Sequence, residues 1–164
     1  MTAVRLVPLT GAVMHALLQR ELETASAAAG LALPAAFLDE EGLWSLRVKE
    51  VTADPASAPW FVRAVVAEPG TVVGHAGFHG PPDADGMVEI GYMTLRKHRR
   101  RGHARAAVGE LLAYAREHGA KTVRASVSPG NEPSLALVRS VGFQQCGEQW
   151  DDEDGLELVF ERAP

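Results

Sequence analysis

The stretch Met87 to Ala115, MVEIGYMTLRKHRRRGHARAAVGELLAYA, decides how the rest of the chain is read. Residues Met87 to Leu95 form a strand-like run, entered from the turn-rich segment Pro81 to Gly86. After Gly102 the apolar positions Ala104, Ala107, Val108, Leu111, Leu112 and Ala115 recur at helical spacing, and Gly119 supplies a stop. Between strand and helix lie Arg96, Lys97, Arg99, Arg100, Arg101 and Arg105, six cations in ten residues with no acid among them. A strand feeding a glycine-bearing basic loop and then a strong helix is the geometry of an anion cradle. Glycine lets the backbone approach closely, and free amides at the helix N-terminus present the favourable end of the dipole.

The wider composition sharpens that reading. The chain has 164 residues, 46% hydrophobic and 23% charged, with a formal net charge of -5. These values fit one globular domain over residues 1–164 with a sizeable core, and exclude disordered, collagen-like and repeat classes. Without the six cations of the loop, 10 basic groups face 21 acidic ones, so one anion-seeking spot sits on an otherwise acidic protein. A compact polyanion is the natural partner. Nucleic acid is the weaker alternative, because aromatics are only 6% and none interrupts the basic run. The chain contains no Gly-Lys-Ser/Thr and no GxGxxG, so the cradle is neither a Walker loop nor a dinucleotide loop. Apolar runs such as Leu31 to Ala36 fall far short of the roughly 18 residues of a membrane span, and no signal region opens the chain. The expectation is a soluble, cytoplasmic protein with no membrane partner. The lone Cys146 cannot close an internal disulfide, and no residue cluster has zinc-site spacing, so no metal is expected.

Outside the decisive stretch, Ala3 to Pro8 reads as a first strand, and Thr10 caps a helix carrying Val13, Met14, Leu17, Leu18 and Leu22. Gly30 to Pro34 breaks it. A second helical stretch through Phe37, Leu38, Leu43, Trp44 and Leu46 ends before Asp54-Pro55. Trp60 to Ala67 and Thr71 to His79 form strands joined by the turn Glu68-Pro69-Gly70. Beyond the basic helix come a strand at Val123 to Val127, a short helix from an Asn131 cap to Ser140, and a closing hairpin, Phe143 to Trp150 with Leu156 to Arg162. The order β-α-α-β-β-β-α-β-α-β-β predicts an α/β fold of the mixed-sheet, α+β kind, with helices packed on one sheet.

These residues resemble the GNAT superfamily of N-acetyltransferases. Arg99, Gly102 and Ala104 fill its Arg/Gln-x-x-Gly-x-Gly/Ala loop, and Glu89-Ile90-Gly91-Tyr92 before it and Asn131-x-x-Ser134 with Gly142-Phe143 behind it resemble the ribosomal-protein alanine N-acetyltransferase branch. The resemblance implies a mostly antiparallel sheet splayed between strands four and five. It also implies acetyl-CoA as co-substrate, with its diphosphate on the amides of Arg101, Gly102, His103 and Ala104, and Arg99 and Arg100 adding charge. The pantetheine arm would pair with Met93, Thr94 and Leu95, and Asn131 and Ser134 would lie on its other side.

Acetyl transfer needs a neutral amine, a donor for the developing oxyanion and a leaving thiolate. Glu89, on an otherwise apolar strand, is either a general base with a raised pKa or a carboxylate paired to a neighbouring strand. The oxyanion donor would be the amide of Met93 or Thr94. Many members carry a tyrosine as general acid where this chain has Val138, which leaves Ser134, water or no acid at all, with Tyr92 and Tyr114 as weaker alternatives. His75 and His79 lie roughly 13 Å apart on a strand, too far to share an ion, and read as sheet or substrate-cleft residues. His98 and His103 read as solvated or phosphate-adjacent, Trp44 and Trp60 as core or cleft wall, and Cys146 as strand filler. The acidic remainder favours a cationic amine acceptor: a protein N-terminus, a polyamine-like molecule or an aminoglycoside. A non-catalytic acyl-CoA sensor is the rival reading, and an exposed sheet edge makes a homodimer reasonable.

Overall fold

In a computed structural model describing residues 2–164, Thr10 caps the first helix as its chemistry demands, its hydroxyl accepting the amide of Val13 at 3.3 Å. The chain enters through strand β1 (Val4–Pro8) and helix α1 (Gly11–Leu18), followed by α2 (Leu22–Ala29) and α3 (Glu41–Ala53). One helix through Leu22 was expected; instead the chain turns at Arg20, whose φ of 60° no helix accommodates, and starts again. The break lets α2 pack Ala25 into the same cluster as Val13, Met14 and Leu17 of α1.

The hairpin of β2 (Arg63–Ala67) and β3 (Thr71–Phe78) then leads to β4 (Met87–Thr94), α4 (His103–Glu117), β5 (Thr122–Val127), α5 (Glu132–Ser140), and the closing pair β6 (Gln144–Asp151) and β7 (Gly155–Arg162). β2 begins three residues later than the alternation suggests. Trp60 ends a 3-10 turn and packs edge-on against Phe78 and Tyr114, so it serves the core. Trp44 is fully buried, its indole N–H donating to the carbonyl of Phe37.

The seven strands run in the order β1-β2-β3-β4-β5-β7-β6, and every neighbouring pair is antiparallel except β4 and β5. Alternation of side chains divides the sheet into two faces. One face buries Val65, Ala76, Phe78, Val88, Ile90, Ala125 and Phe160 against Ala107, Val108 and Leu111 of α4 and Leu135 and Val138 of α5. Apolar burial of this kind contributes about 1.5–3 kcal/mol per large side chain. On the other face α1, α2 and α3 cover Ala64, Val66 and Val72, whereas Arg124 and Ser126 of β5 remain only partly covered. That uneven coverage leaves polar side chains of β4, β5 and β7 accessible.

β3 is held unusually close to its neighbours. A Cβ on Gly74 would lie 2.0 Å from the carbonyl oxygen of Met93, and one on Gly77 would lie 2.4 Å from that of Phe61. Both glycines are required by approach of backbone to backbone. The sheet's outer strands are β1 and β6, and Cys146 sits exposed at an irregularity of the β6 register, so it does not fill the sheet. No helix among the described residues is long and apolar enough to cross a membrane.

Candidate active site

β4 and β5 pair from Met87/Thr122 to Ile90/Ala125 and then part, so Tyr92, Met93 and Thr94 have no strand on that side. The gap opens into a cleft of about 930 Å³ walled by Tyr92, Met93, Thr94, the basic loop, the start of α4 and the residues Asn131, Pro133, Ser134 and Leu137 of α5. Hydrogen-bond parity decides which backbone groups reach it. The amide of His79 donates to the carbonyl of Glu89, and that of Leu95 to the carbonyl of Val73, so odd-numbered residues of β4 face β3. The amides of Tyr92 and Thr94 therefore face the cleft, and those of Met93 and Leu95 do not. Leu95 is also buried in the cluster beneath α1 and α3. Of the three residues expected beside a pantetheine arm, Thr94 turns its amide to the cleft, Met93 lines it, and the Leu95 amide is bonded to β3.

The basic loop closes the other end. Gly102, at φ 82°, precedes α4 and Arg100 adopts φ 62°, two left-handed turns that curl the chain ahead of the helix. The first turn of α4 has neither a side-chain cap nor an acidic residue. By helix geometry the amides of His103, Ala104 and Arg105 have no intrahelical acceptor. Arg96, Arg99, Arg100 and Arg105 line the cleft; Arg101 does not, and its carbonyl accepts the hydroxyl of Thr2. Arg99 Nε donates to the carbonyl of Thr94 at 3.0 Å, tying the loop to the end of β4. Nε2 of His98 and Nδ1 of His103 are buried without partners, and both rings line the cleft. Burial, then the charges of Lys97, Arg101 and His103, push the His98 imidazole below its usual range. Free amides, cations and unpartnered ring nitrogens converge on one pocket, a donor set suited to a diphosphate.

Across the cleft, Asn131 Oδ1 accepts the amide of Ser134, so its helix-capping role is realised while both residues line the pocket. The Tyr92 hydroxyl donates to Ser134 Oγ at 3.3 Å, and burial raises the phenol above its ordinary range. Tyr114 lies elsewhere, packed with Trp60, His118 and the Arg63 guanidinium, and Val138 is fully buried. Tyr92 and Ser134 thus form a hydrogen-bonded pair of hydroxyls on the cleft wall.

Glu89 projects onto the partly open face of the sheet. Its Oε2 lies 2.7 Å from Nδ1 of His79 and its Oε1 accepts the hydroxyl of Ser126 at 2.5 Å. Gln149 donates from Nε2 to Ser126 Oγ at 3.0 Å and to Glu157 at 3.1 Å, extending the chain across β5 to β7. Burial works to raise the Glu89 pKa, but the bonds from His79 and Ser126 and the charges of His79 and Arg124 outweigh it and hold the carboxyl below its usual range. A raised pKa was one expectation for Glu89; the paired carboxylate is what the fold contains. His75 is separate, held at 2.8 Å to Glu40 and flanked by Phe37 and Trp44. No three His, Cys, Asp or Glu side chains among the described residues are grouped to hold a metal.

A lowered carboxyl pKa stabilises the fold above the ordinary carboxylate value of about 4.3 and loses that contribution as pH falls through the lower folded value. Glu89→Gln is therefore expected to cost about 1.5–3 kcal/mol at pH 7, the range for hydrogen bonds to a charged group. The two proteins should converge in stability below the folded value. Urea unfolding of both at a series of pH values measures this.

The description acetyltransferase (GNAT) domain matches residues 14–144, most of the chain. The chain belongs to the GNAT acetyltransferase family. It is 36% identical over 84 residues to an uncharacterized N-acetyltransferase, p20, of Bacillus licheniformis, covering 51% of this chain and 47% of that protein. It is 46% identical over 73 residues to the uncharacterized N-acetyltransferase YjdG of Bacillus subtilis (strain 168), 44% of each chain. The chain thus spans about half the length of the curated relatives it matches. A ribosomal-protein-alanine N-acetyltransferase of Brucella melitensis superposes with a TM-score of 0.61 at 25% identity, over 98% of this chain and 99% of that one. A phosphinothricin acetyltransferase of Sinorhizobium meliloti, solved with AcCoA, superposes with a TM-score of 0.63 at 20% identity, over 98% and 88%, a likeness of fold alone. The GNAT fold places the mixed sheet and its splay where the sequence resemblance implied them.

Proposed function

We propose that this GNAT protein, acting as one domain over residues 1–164, is an acetyl-CoA-dependent N-acetyltransferase that transfers the acetyl group directly to a primary amine. The observation that carries the reading is the single cleft running from the uncapped start of α4 to the point where β4 and β5 part. Arg96, Arg99, Arg100 and Arg105, with the amides of Gly102, His103 and Ala104, would hold the diphosphate. The amides of Tyr92 and Thr94 would pair with the pantetheine arm and donate to the acetyl oxygen. Bound acetyl-CoA supplies an acetyl thioester, an acyl donor that leaves as a thiolate.

The acceptor is a cationic amine, foremost a protein N-terminus. An α-amine, with a pKa of about 7.7–8.0, is partly neutral near pH 7 and needs less help from a base than a lysine. Glu89, Glu157 and Glu161 share the partly open face of β4, β5 and β7, with Arg124 the cation paired to Glu161. Such a face attracts an ammonium.

Calorimetric titration with acetyl-CoA, CoA and dephospho-CoA tests the cleft. Release of free thiol with an alanine-initiated peptide, spermidine and Nα-acetyl-lysine tests transfer. Micromolar binding with transfer to one of these amines supports the enzyme. Binding without transfer to any of them supports the acyl-CoA sensor, and absence of binding overturns both.

A further inference from the structure

Resting on the acetyltransferase reading, we infer that His79 is the catalytic base of this protein and that Glu89 acts through it as a positioning residue. Glu89 has both carboxylate oxygens engaged, Oε2 by the His79 ring and Oε1 by the Ser126 hydroxyl, and Ser126 is itself held by Gln149. A carboxylate so occupied is a poor proton acceptor. Facing an ionised Glu89, Nδ1 of His79 carries the hydrogen, which leaves the lone pair on Nε2.

That nitrogen lies over β4 at residue 91, next to Tyr92, where the lining of the cleft begins. A Cβ on residue 91 would lie 3.0 Å from Nε2, so glycine there makes room for the ring just as β4 passes its last pairing with β5 at Ile90. The His79 side chain is 48% exposed against 21% for Glu89, so an incoming amine meets the imidazole first. The His79 backbone is also fixed, its amide donating to the Glu89 carbonyl at 2.8 Å. The charged groups around the pair are Glu89 from β4, Arg124 from β5 and its partner Glu161 from β7. His75, on the same strand, is committed to Glu40.

In the step this arrangement serves, the acceptor ammonium gives one proton to Nε2 and becomes a neutral amine, and the imidazolium is stabilised by Glu89. The amine nitrogen then bonds to the acetyl carbon as the carbon–sulfur bond breaks, and the sulfur leaves with the bonding pair. The nitrogen passes its second proton to that sulfur, and His79 releases its own to water. The products are an N-acetyl amide, a thiol and one proton.

The test compares His79→Ala and Glu89→Gln with the wild type, using whichever of the three amines above is acetylated. His79→Ala should lower kcat/KM by about 100-fold or more, with unchanged acetyl-CoA affinity in the folded protein, and added imidazole should restore part of the rate. Glu89→Gln should lower the rate less, in kcat more than in KM. Nitrogen-15 NMR of the free protein should find His79 as the Nδ1–H tautomer, and the preference should weaken in Glu89→Gln. Wild-type kcat/KM and pH profile in His79→Ala, or the Nε2–H tautomer in the wild type, overturns the inference while leaving the acetyltransferase reading intact. Absence of transfer by the wild type overturns that reading and this inference with it.

Discussion

Exchanging Arg99 and Arg100 together for glutamate should weaken binding of coenzyme A by about 100-fold, and the loss should shrink as salt is raised. Both arginines line the cleft, and Arg99 also ties the loop to the Thr94 carbonyl. One pair of unit charges about 4 Å apart is worth about 1 kcal/mol in water and less with distance and salt. Two reversals change four charge units facing a diphosphate, so about 3 kcal/mol survives screening, which corresponds to roughly 100-fold in affinity. Arg101→Glu is the internal comparison. Its side chain lies outside the cleft and its carbonyl is bound by Thr2, so it should weaken binding by less than about 10-fold through longer-range charge alone. Calorimetry at two salt concentrations separates the variants, and equal losses from Arg101 and from the pair would refute the placement of the diphosphate.

Gly74→Ala should destabilise the protein by about 3 kcal/mol or more and lower its melting temperature by about 6–12 °C. The added methyl would stand 2.0 Å from the Met93 carbonyl oxygen and 3.0 Å from the Thr94 Cα, both backbone atoms that no rotamer change can move. Relief requires β3 and β4 to separate where β4 has already lost β5 as a neighbour. The same displacement shifts the Thr94 amide, so acetyl-CoA affinity should fall along with stability. Gly109→Ala provides the contrast. Nothing lies within 4 Å of its added carbon, and alanine in a helix interior is favoured over glycine by up to about 1 kcal/mol, so that variant should melt slightly higher. Thermal unfolding of the two proteins checks both signs.

The two outcomes depend on different kinds of information. The cation run, Gly102 and the apolar spacing of Ala107, Val108, Leu111, Leu112 and Ala115 are properties of neighbours in the chain. They were enough to place the helix and the basic loop ahead of it. Turn residues and alternation likewise delimited most strands, and Thr10 and Asn131 cap their helices as read. Where local pattern misled, packing had overruled it: the turn at Arg20 lets α2 bury Ala25, and Trp60 leaves the strand pattern to pack on Phe78 and Tyr114.

The partners of Glu89 lay beyond such reading. Glu89 was visible as an acid on an apolar strand, and the alternation of β4 even gave its face. Its partners were not, because Ser126 lies 37 residues away and Gln149 a further 23, joined only by the registers of β4 against β5, β5 against β7 and β7 against β6. Tyr92 and Ser134 meet across 42 residues because α5 lies beside the end of β4. Arg101 looked equivalent to Arg99 and Arg100 until the loop's left-handed turns set which side chains face the cleft. By itself the sequence determined most of the elements, the family resemblance and the charge of the basic loop, all of which follow from local spacing and composition. Tertiary structure alone decided which amides of β4 are free, that Glu89 is held ionised, and that His79 stands in front of it, because pairing across the sheet sets each of these.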